Sequence, residues 1–108
     1  MTTNRSPGAM TEKILIIDDD RALAAMLIEY LAPLGLKLSA ADNATAGLGM
    51  LEQDAYDALI LDVMLPDIDG FEVARRIRGG QSGARDIPIL MLTARGDETD
   101  RIVGLELG

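Results

Sequence analysis

Short apolar runs alternate along the chain with stretches that have helical periodicity. Four segments have strand length, namely the continuous apolar run Ile14–Ile17, Leu36–Ala40, Ala58–Val63, which is apolar apart from Asp62, and Ile87–Thr93. Helices are predicted between and after them, at Arg21–Leu31, Asn43–Gln53, Phe71–Arg78 and Asp97–Leu107. Continuous apolar runs of this length are typical of strands that are covered on both faces. The alternation therefore predicts an α/β fold, a doubly wound parallel sheet with helices on both faces.

The chain divides into a short tail and one domain. Met1–Met10 is rich in Thr, Asn, Ser, Pro and Gly and has no periodicity, so a flexible N-terminal tail is predicted. Residues 11–108 are expected to form a single domain, because this length supports one core and not two. The opening segment lacks the apolar stretch of a signal peptide, and no apolar run could span a membrane. We therefore expect a cytoplasmic protein without a membrane partner.

Composition narrows the chemistry that the chain could perform. The sequence has no Cys and no His, which argues against disulfides, thiolate catalysis, serine triads and the usual zinc sites. The formal net charge of −8 makes direct binding of nucleic acid unfavourable, because few phosphates could be neutralised. Chemistry in this chain must come from carboxylates, hydroxyls and Lys. An acidic chain of this kind is better suited to a cation or to a basic partner surface.

Polar side chains stand at the ends of three predicted strands. Asp18, Asp19 and Asp20 follow the first strand, Asp62 ends the third, and Thr93 ends the fourth. In a parallel sheet these ends share one edge, which is where ligands bind in doubly wound folds. Carboxylates gathered there repel one another unless a cation neutralises them, and an oxygen-only ligand set favours Mg²⁺. A carboxylate at a rigid strand end can also act as a nucleophile toward a phosphoryl group.

Each of these residues also has a purely structural interpretation. The acidic triplet could be no more than the N-cap and first turn of a helix, and capping is favoured for Asp20. Asp62 could simply end a strand before a Pro/Gly loop, and Thr is common at strand ends. Taken together on three separate strands, however, Asp18, Asp19, Asp62 and Thr93 favour a functional site.

Three segments carry a resemblance to a known family. ILIIDDD, LILDVMLPDIDGFEVARRIR and PILMLTARGDETDRIVGLELG together resemble the receiver domain of bacterial two-component response regulators. The spacing of Asp62, Pro66 and Gly70 is specific when it is combined with the acidic pair and LTAR. The last segment is most similar to the winged-helix, transcription-factor branch. The resemblance implies a flavodoxin-like receiver fold with the strand order 2-1-3-4.

The resemblance also implies roles for individual residues. Asp62 would accept the phosphoryl group, and Thr93 would be the hydroxyl that moves toward it. Asp19 would coordinate Mg²⁺ directly, Asp18 would act largely through a bound water, and the backbone carbonyl of Met64 would be a further ligand. The donor would be a cognate histidine kinase. Transcription would be controlled through an output domain that is absent here.

The sequence departs from the family pattern at its end. The family has a fifth strand, a fifth helix and a Lys at the end of that strand, and the expectation is that this chain lacks all three. Ile87–Thr93 would then be an exposed edge strand, and such edges invite pairing with another chain. We therefore expect self-association through this edge, by edge pairing or element exchange. Phosphorylation is expected to be impaired rather than abolished.

Alternative functions remain open at this point. The first is a phosphate-independent protein-interaction domain with a receiver fold, which the missing Lys favours and the intact acidic residues oppose. The second is an aspartate-nucleophile phosphatase, which usually has a second Asp where this chain has Met64. In the preferred interpretation the chain is not an enzyme, and its chemistry is limited to Mg²⁺-dependent self-phosphorylation and slow autodephosphorylation.

Overall fold

The computed structural model describes residues 12–80, 83–92 and 102–106. The strands are β1 (Glu12–Ile17), β2 (Leu36–Ala41), β3 (Ala58–Asp62), β4 (Ile89–Leu92) and β5 (Ile102–Glu106). The helices are α1 (Arg21–Leu31), α2 (Ala44–Gln53) and α3 (Gly70–Gly79), and short 3-10 turns span Ala32–Leu34 and Gly83–Asp86. The predicted tail, Met1–Met10, lies outside the described residues.

The sheet has the strand order β2-β1-β3-β4-β5. The pairs β1–β2, β1–β3 and β3–β4 are all parallel, which confirms the predicted doubly wound α/β fold and the order 2-1-3-4. β5 is antiparallel to β4, so it is not the parallel fifth strand of the family pattern. The four parallel strands therefore end on one edge of the sheet, as predicted.

The predicted helix at Asp97–Leu107 is wrong for residues 102–106. These residues form β5, with Leu90 opposite Leu105 and Met91 opposite Gly104. The local sequence is compatible with a strand, because β-branched Ile102 and Val103 favour strands and Gly104 weakens a helix. Pairing with β4 also satisfies backbone groups that a free strand edge would leave unbonded.

The predicted exposed edge at Ile87–Thr93 is also wrong for the residues that the structure describes there. Ile89–Leu92 pairs with β3 on one side and with β5 on the other. Unpaired edge groups favour pairing, and here the partner is a segment of the same chain. Self-association was expected because the β4 edge would be free, and in this fold β5 occupies that edge.

The parallel strands separate two apolar layers. Leu15 and Ile17 of β1 point into the larger core, which α2 and α3 cover, while Ile16 points toward α1 with Ala24 and Leu38. Leu15, Ile16 and Ile17 are each 0% exposed, as expected for a central strand that is covered on both faces. Because β1 is held in the centre of the sheet, the positions of the acidic residues that follow it are fixed as well.

The helix ends follow local sequence signals. The Asp20, Asn43 and Asp69 side chains cap α1, α2 and α3 by accepting hydrogen bonds from the first turns of these helices. The helical segment after α1 ends at Gly35, whose φ of 83° is the left-handed conformation that favours glycine. Among the residues described by the structure, no helix has the length and apolar character needed to cross a membrane.

Gly47 lets α2 approach β1 closely. A Cβ at this position would lie 2.3 Å from Cδ1 of Ile17, whose side chain is completely buried. We expect Gly47→Ala to lower the free energy of unfolding by about 2 kcal/mol through overpacking. Gly49→Ala is the matched control on the same helix, because its Cβ would contact nothing within 4 Å. Gly49→Ala should raise the free energy of unfolding by about 0.5 kcal/mol. Urea denaturation measures both, and equal midpoints would contradict the close approach.

Candidate functional site

The candidate site lies where β1 and β3 end side by side. Ile17 of β1 pairs with Leu61 of β3, so the next residues of the two strands are also neighbours. Asp18, Asp19 and Asp62 each offer a carboxylate oxygen, and these three oxygens lie within 4.8 Å of one another. Asp18 and Asp62 are 7% and 6% exposed, whereas Asp19 is exposed. The predicted convergence of these residues is therefore present in the fold.

Asp20 stands apart from this cluster. Its Oδ1 accepts a hydrogen bond of 2.9 Å from the backbone N–H of Leu23, and its own N–H donates to Asp18 Oδ1 at 2.8 Å. The prediction that Asp20 caps the first helix is confirmed. The three consecutive aspartates thus divide into two members of the carboxylate cluster and one capping residue.

The loop after β3 begins with bonds that hold Asp62 in place. The backbone N–H of Met64 donates to Asp62 Oδ1 at 3.1 Å, which fixes the orientation of the carboxylate. The N–H of Gly70 donates to the carbonyl of Val63 at 3.0 Å and closes the base of the loop. Val63 N–H donates in turn to Leu92 O at 2.9 Å. The backbone near Met64, including the carbonyl that the resemblance singles out, is thereby tied to the end of β3.

Sequence reasoning missed the role of Asp67 in this loop. Its carboxylate accepts hydrogen bonds from the backbone N–H groups of Ala44 and Thr45 at 2.9 and 3.0 Å, and from Thr45 Oγ1 at 2.8 Å. These bonds connect the loop to the start of α2, across 23 residues of sequence. An Asp in a polar loop does not indicate which distant helix it will contact, so no sequence signal could have identified this partner.

The burial of two carboxylates in one cluster changes how they ionise. Burial raises the pKa of Asp18 to about 6, and the negative charges of Asp62 and Asp19 add to the rise. Burial also raises the pKa of Asp62, while the hydrogen bond from Met64 N–H opposes the rise. Within the described part of the chain no Lys or Arg forms an ion pair with Asp18, Asp19 or Asp62. The cluster therefore holds excess negative charge and could bind a metal ion.

The raised pKa of Asp18 predicts a pH dependence of stability in metal-free buffer. The folded state binds this proton more tightly than the unfolded state, so stability falls as pH rises from about 4 to about 6. The expected loss is on the order of 1 to 3 kcal/mol. Urea midpoints measured in EDTA across this range should show it, and Asp18→Asn should remove this part of the slope.

The variant comparison is needed because other carboxylates titrate with the opposite sign. Hydrogen bonds and ion pairs lower the pKa values of four carboxyls at the protein surface, namely Asp42, Asp54, Asp67 and Glu72. Their contributions to stability are lost as pH falls. If Asp18→Asn and the wild type had the same slope between about pH 4 and about pH 6, the shifted pKa of Asp18 would be refuted.

Of the two remaining predicted site residues, the structure describes Met64 but not Thr93. Met64 is described and is 52% exposed. Its thioether is only a weak acceptor, so the side chain adds no charged oxygen to the cluster. Thr93 lies outside the described residues. It follows directly after β4, which ends at Leu92 beside Asp62 in the register of the sheet.

Comparisons with known proteins agree with this geometry. The family model for the response regulator receiver domain matches residues 14–108. The regulatory protein VanRc of Enterococcus gallinarum is 39% identical over 99 residues, which cover 92% of this chain and 41% of that protein. The response regulator MprA of Mycobacterium tuberculosis is 42% identical over 99 residues, covering 92% and 42%. The chain thus spans about two-fifths of the length of these relatives.

A solved structure shows the same fold. The response regulator protein TrrA from Thermotoga maritima, in complex with Mg²⁺-BeF, matches with a TM-score of 0.70. The two are 34% identical, and the match covers 82% of this chain and 77% of that one.

Proposed function

This chain belongs to the response regulator receiver domain family, and we propose that it accepts a phosphoryl group on Asp62 from a histidine kinase in the presence of Mg²⁺. The observation that carries the proposal is the meeting of the Asp18, Asp19 and Asp62 carboxylates at the carboxyl edge of the sheet. Burying two carboxylates beside a third is costly when no Lys or Arg pairs with them, and a purely structural role would not require that cost.

The donor set fits Mg²⁺. All three side chains offer hard carboxylate oxygens, and Mg²⁺ prefers oxygen ligands and retains several waters. We assign direct ligation to Asp19 and Asp62, ligation largely through water to Asp18, and a further oxygen to the Met64 backbone carbonyl. The bound ion would offset the mutual repulsion of the carboxylates and stabilise charge on the phosphoryl group. The Mg²⁺-BeF complex of TrrA supports this choice of ion.

The chemical step uses one oxygen of Asp62 as the nucleophile. That oxygen forms a bond to phosphorus while the bond from phosphorus to the kinase imidazole nitrogen breaks. The electron pair of the broken bond stays on the leaving nitrogen, and the product on this chain is an aspartyl phosphate. The Met64 N–H holds the carboxylate in one orientation during the attack. Thr93 is assigned the hydroxyl that donates to a phosphoryl oxygen afterwards.

The wider biological setting belongs to the same proposal. We place the protein in the cytoplasm, where it would control transcription through a DNA-binding output domain of the winged-helix type. The formal net charge of the full sequence is −8, which makes direct binding of nucleic acid by this chain unfavourable. The chain would not be an enzyme for a separate substrate, since self-phosphorylation places a donor's phosphoryl group on its own Asp62 and slow autodephosphorylation by water restores the carboxylate.

Acetyl phosphate tests the proposal without a kinase. The purified chain is incubated with acetyl phosphate, with Mg²⁺ or with EDTA, and its intact mass is recorded. The expected result is the addition of one phosphoryl group that requires Mg²⁺ and maps to Asp62 after borohydride trapping. Absence of labelling, together with absence of Mg²⁺-dependent binding of beryllofluoride, would overturn the proposal.

A second candidate is a receiver-like interaction domain that works without phosphate and associates with itself. The pairing of β5 with β4 favours one form of it, because an antiparallel edge strand can be exchanged between two copies in the same register. Beryllofluoride separates the candidates, since only the phosphoacceptor should bind it with Mg²⁺. A monomeric mass in light scattering at high protein concentration would exclude the exchanged form.

A further inference from the structure

We propose that Asp67 is a positioning residue that holds the loop carrying the Met64 carbonyl against the start of α2. The proposal rests on the proposed function, because it takes that carbonyl as a ligand of the metal ion. Asp67 itself would touch neither the ion nor the phosphoryl group. Its role would be to keep the loop in the conformation that the ion requires.

Both carboxylate oxygens of Asp67 are engaged. Oδ1 accepts from the backbone N–H of Ala44 at 2.9 Å and from that of Ile68 at 3.0 Å. Oδ2 accepts from Thr45 N–H at 3.0 Å and from Thr45 Oγ1 at 2.8 Å. These bonds lower the pKa of Asp67 well below its usual range, so the group is a carboxylate at neutral pH. Three of these four bonds come from α2, which makes a strong link for an exposed, ionised side chain.

The helix does not need this link for its own cap. Asn43 already caps α2 by accepting from Ala46 N–H at 2.8 Å. Asp67 instead binds the two preceding N–H groups, those of Ala44 and Thr45, from a different part of the chain. The contact adds some stability to α2. Its more specific effect is to hold the loop that contains Asp67 in a fixed position.

The loop is thereby held at two places on either side of Met64. On one side, the Gly70–Val63 and Met64–Asp62 hydrogen bonds fix its base at the end of β3. On the other, Asp67 binds α2, three residues after Met64. A backbone carbonyl can serve a metal only if its position is maintained, and outer contacts that orient ligands affect affinity strongly. Asp69, the other carboxylate of this loop, caps α3 and makes no comparable link to α2.

Titration calorimetry with Mg²⁺ alone tests the inference. We expect Asp67→Ala to weaken Mg²⁺ binding about tenfold, at the low end of effects seen for residues that orient metal ligands. Asp67→Asn retains one oxygen and should lose about threefold. Thr45→Val removes one of the four bonds without changing charge and should lose about twofold. At saturating Mg²⁺ the Asp67→Ala variant should be labelled by acetyl phosphate at nearly the wild-type rate.

Two control variants separate positioning from general effects. Asn43→Ala removes the cap of α2 and should lower stability by about 1 kcal/mol, but it leaves the loop link in place. Asp69→Asn removes a charge from the same loop while Asn can still cap α3. Both should bind Mg²⁺ with the affinity of the wild type, since neither removes a bond between Asp67 and α2.

The outcomes distinguish this inference from the proposed function. If the wild type does not bind Mg²⁺, the proposed function fails. If the wild type binds and Asp67→Ala binds with equal affinity, the inference alone fails. It fails too if Asn43→Ala weakens binding as much as Asp67→Ala, because helix stability would then be the cause. An equal loss in Asp69→Asn would assign the effect to charge and would also overturn it.

Discussion

Replacing Gly70 with alanine is expected to lower the free energy of unfolding by about 3 kcal/mol and to slow phosphorylation at least tenfold. A Cβ at this position would lie 2.3 Å from the backbone oxygen of Asp62 and 2.8 Å from Cα of Val63. Both contacts are with backbone, so no side-chain rotation can relieve them. Either α3 moves away from the end of β3 or Asp62 shifts, and both changes disturb the candidate site.

Gly79 provides the matched control for this prediction. It lies at the other end of the same helix, and a Cβ there would meet nothing within 4 Å. Gly79→Ala should therefore be neutral or slightly stabilising and should be labelled at the wild-type rate. Urea denaturation and the time course of labelling with acetyl phosphate measure both variants. If Gly70→Ala matched Gly79→Ala in both assays, the close packing of α3 on the end of β3 would be refuted.

Much of the fold could be predicted because local pattern and tertiary packing agree. The continuous apolar run of β1 leads to a central strand, and α1 spans the predicted residues Arg21–Leu31 without change. The first three strands and first three helices each carry their own signals, such as the Asn43 cap of α2. The apolar pattern does not determine the order of the strands in the sheet. That order was predicted from the family resemblance.

The segment after β4 shows where local pattern is insufficient. Residues 97–107 have apolar spacing that suits a helix, yet residues 102–106 pair with β4 as a strand. The deciding factor is the open edge of another strand, which no window of local sequence contains. When helix and strand preferences are close, as with Ile102, Val103 and Gly104, such a partner determines the outcome.

The candidate site was predictable to the extent that strand ends determine it. Asp18 and Asp19 come directly after β1, and Asp62 is the last residue of β3. The sequence pattern implies that these two strands are parallel, so it also implies that the three residues lie at the same edge of the sheet. Asp67 was not predictable, because its partner lies 23 residues earlier and the contact depends on how the loop after β3 folds over α2. Residues at strand ends inherit their positions from the sheet, whereas loop residues obtain theirs from contacts that only the folded chain defines.

The Asp62→Asn variant is expected to lose phosphorylation by about a thousandfold or more while folding at least as well as the wild type. An amide oxygen is a far poorer nucleophile than a carboxylate, and it cannot form a stable acyl phosphate. Asn can still accept the hydrogen bond from Met64 N–H, so the loop retains its anchor. Because burial raises the pKa of Asp62, removing this charge should also raise the urea midpoint in EDTA.

Asp20→Asn is the control for charge near the site. Asp20 adjoins the acidic pair in sequence but caps α1, and Asn is as good a cap as Asp. This variant should be labelled at close to the wild-type rate. Intact mass after treatment with acetyl phosphate and Mg²⁺ compares all three proteins. Continued labelling of Asp62→Asn at the wild-type rate would identify another carboxylate as the acceptor. The buried position of Asp62 at the end of β3 would then serve metal binding rather than phosphoryl transfer.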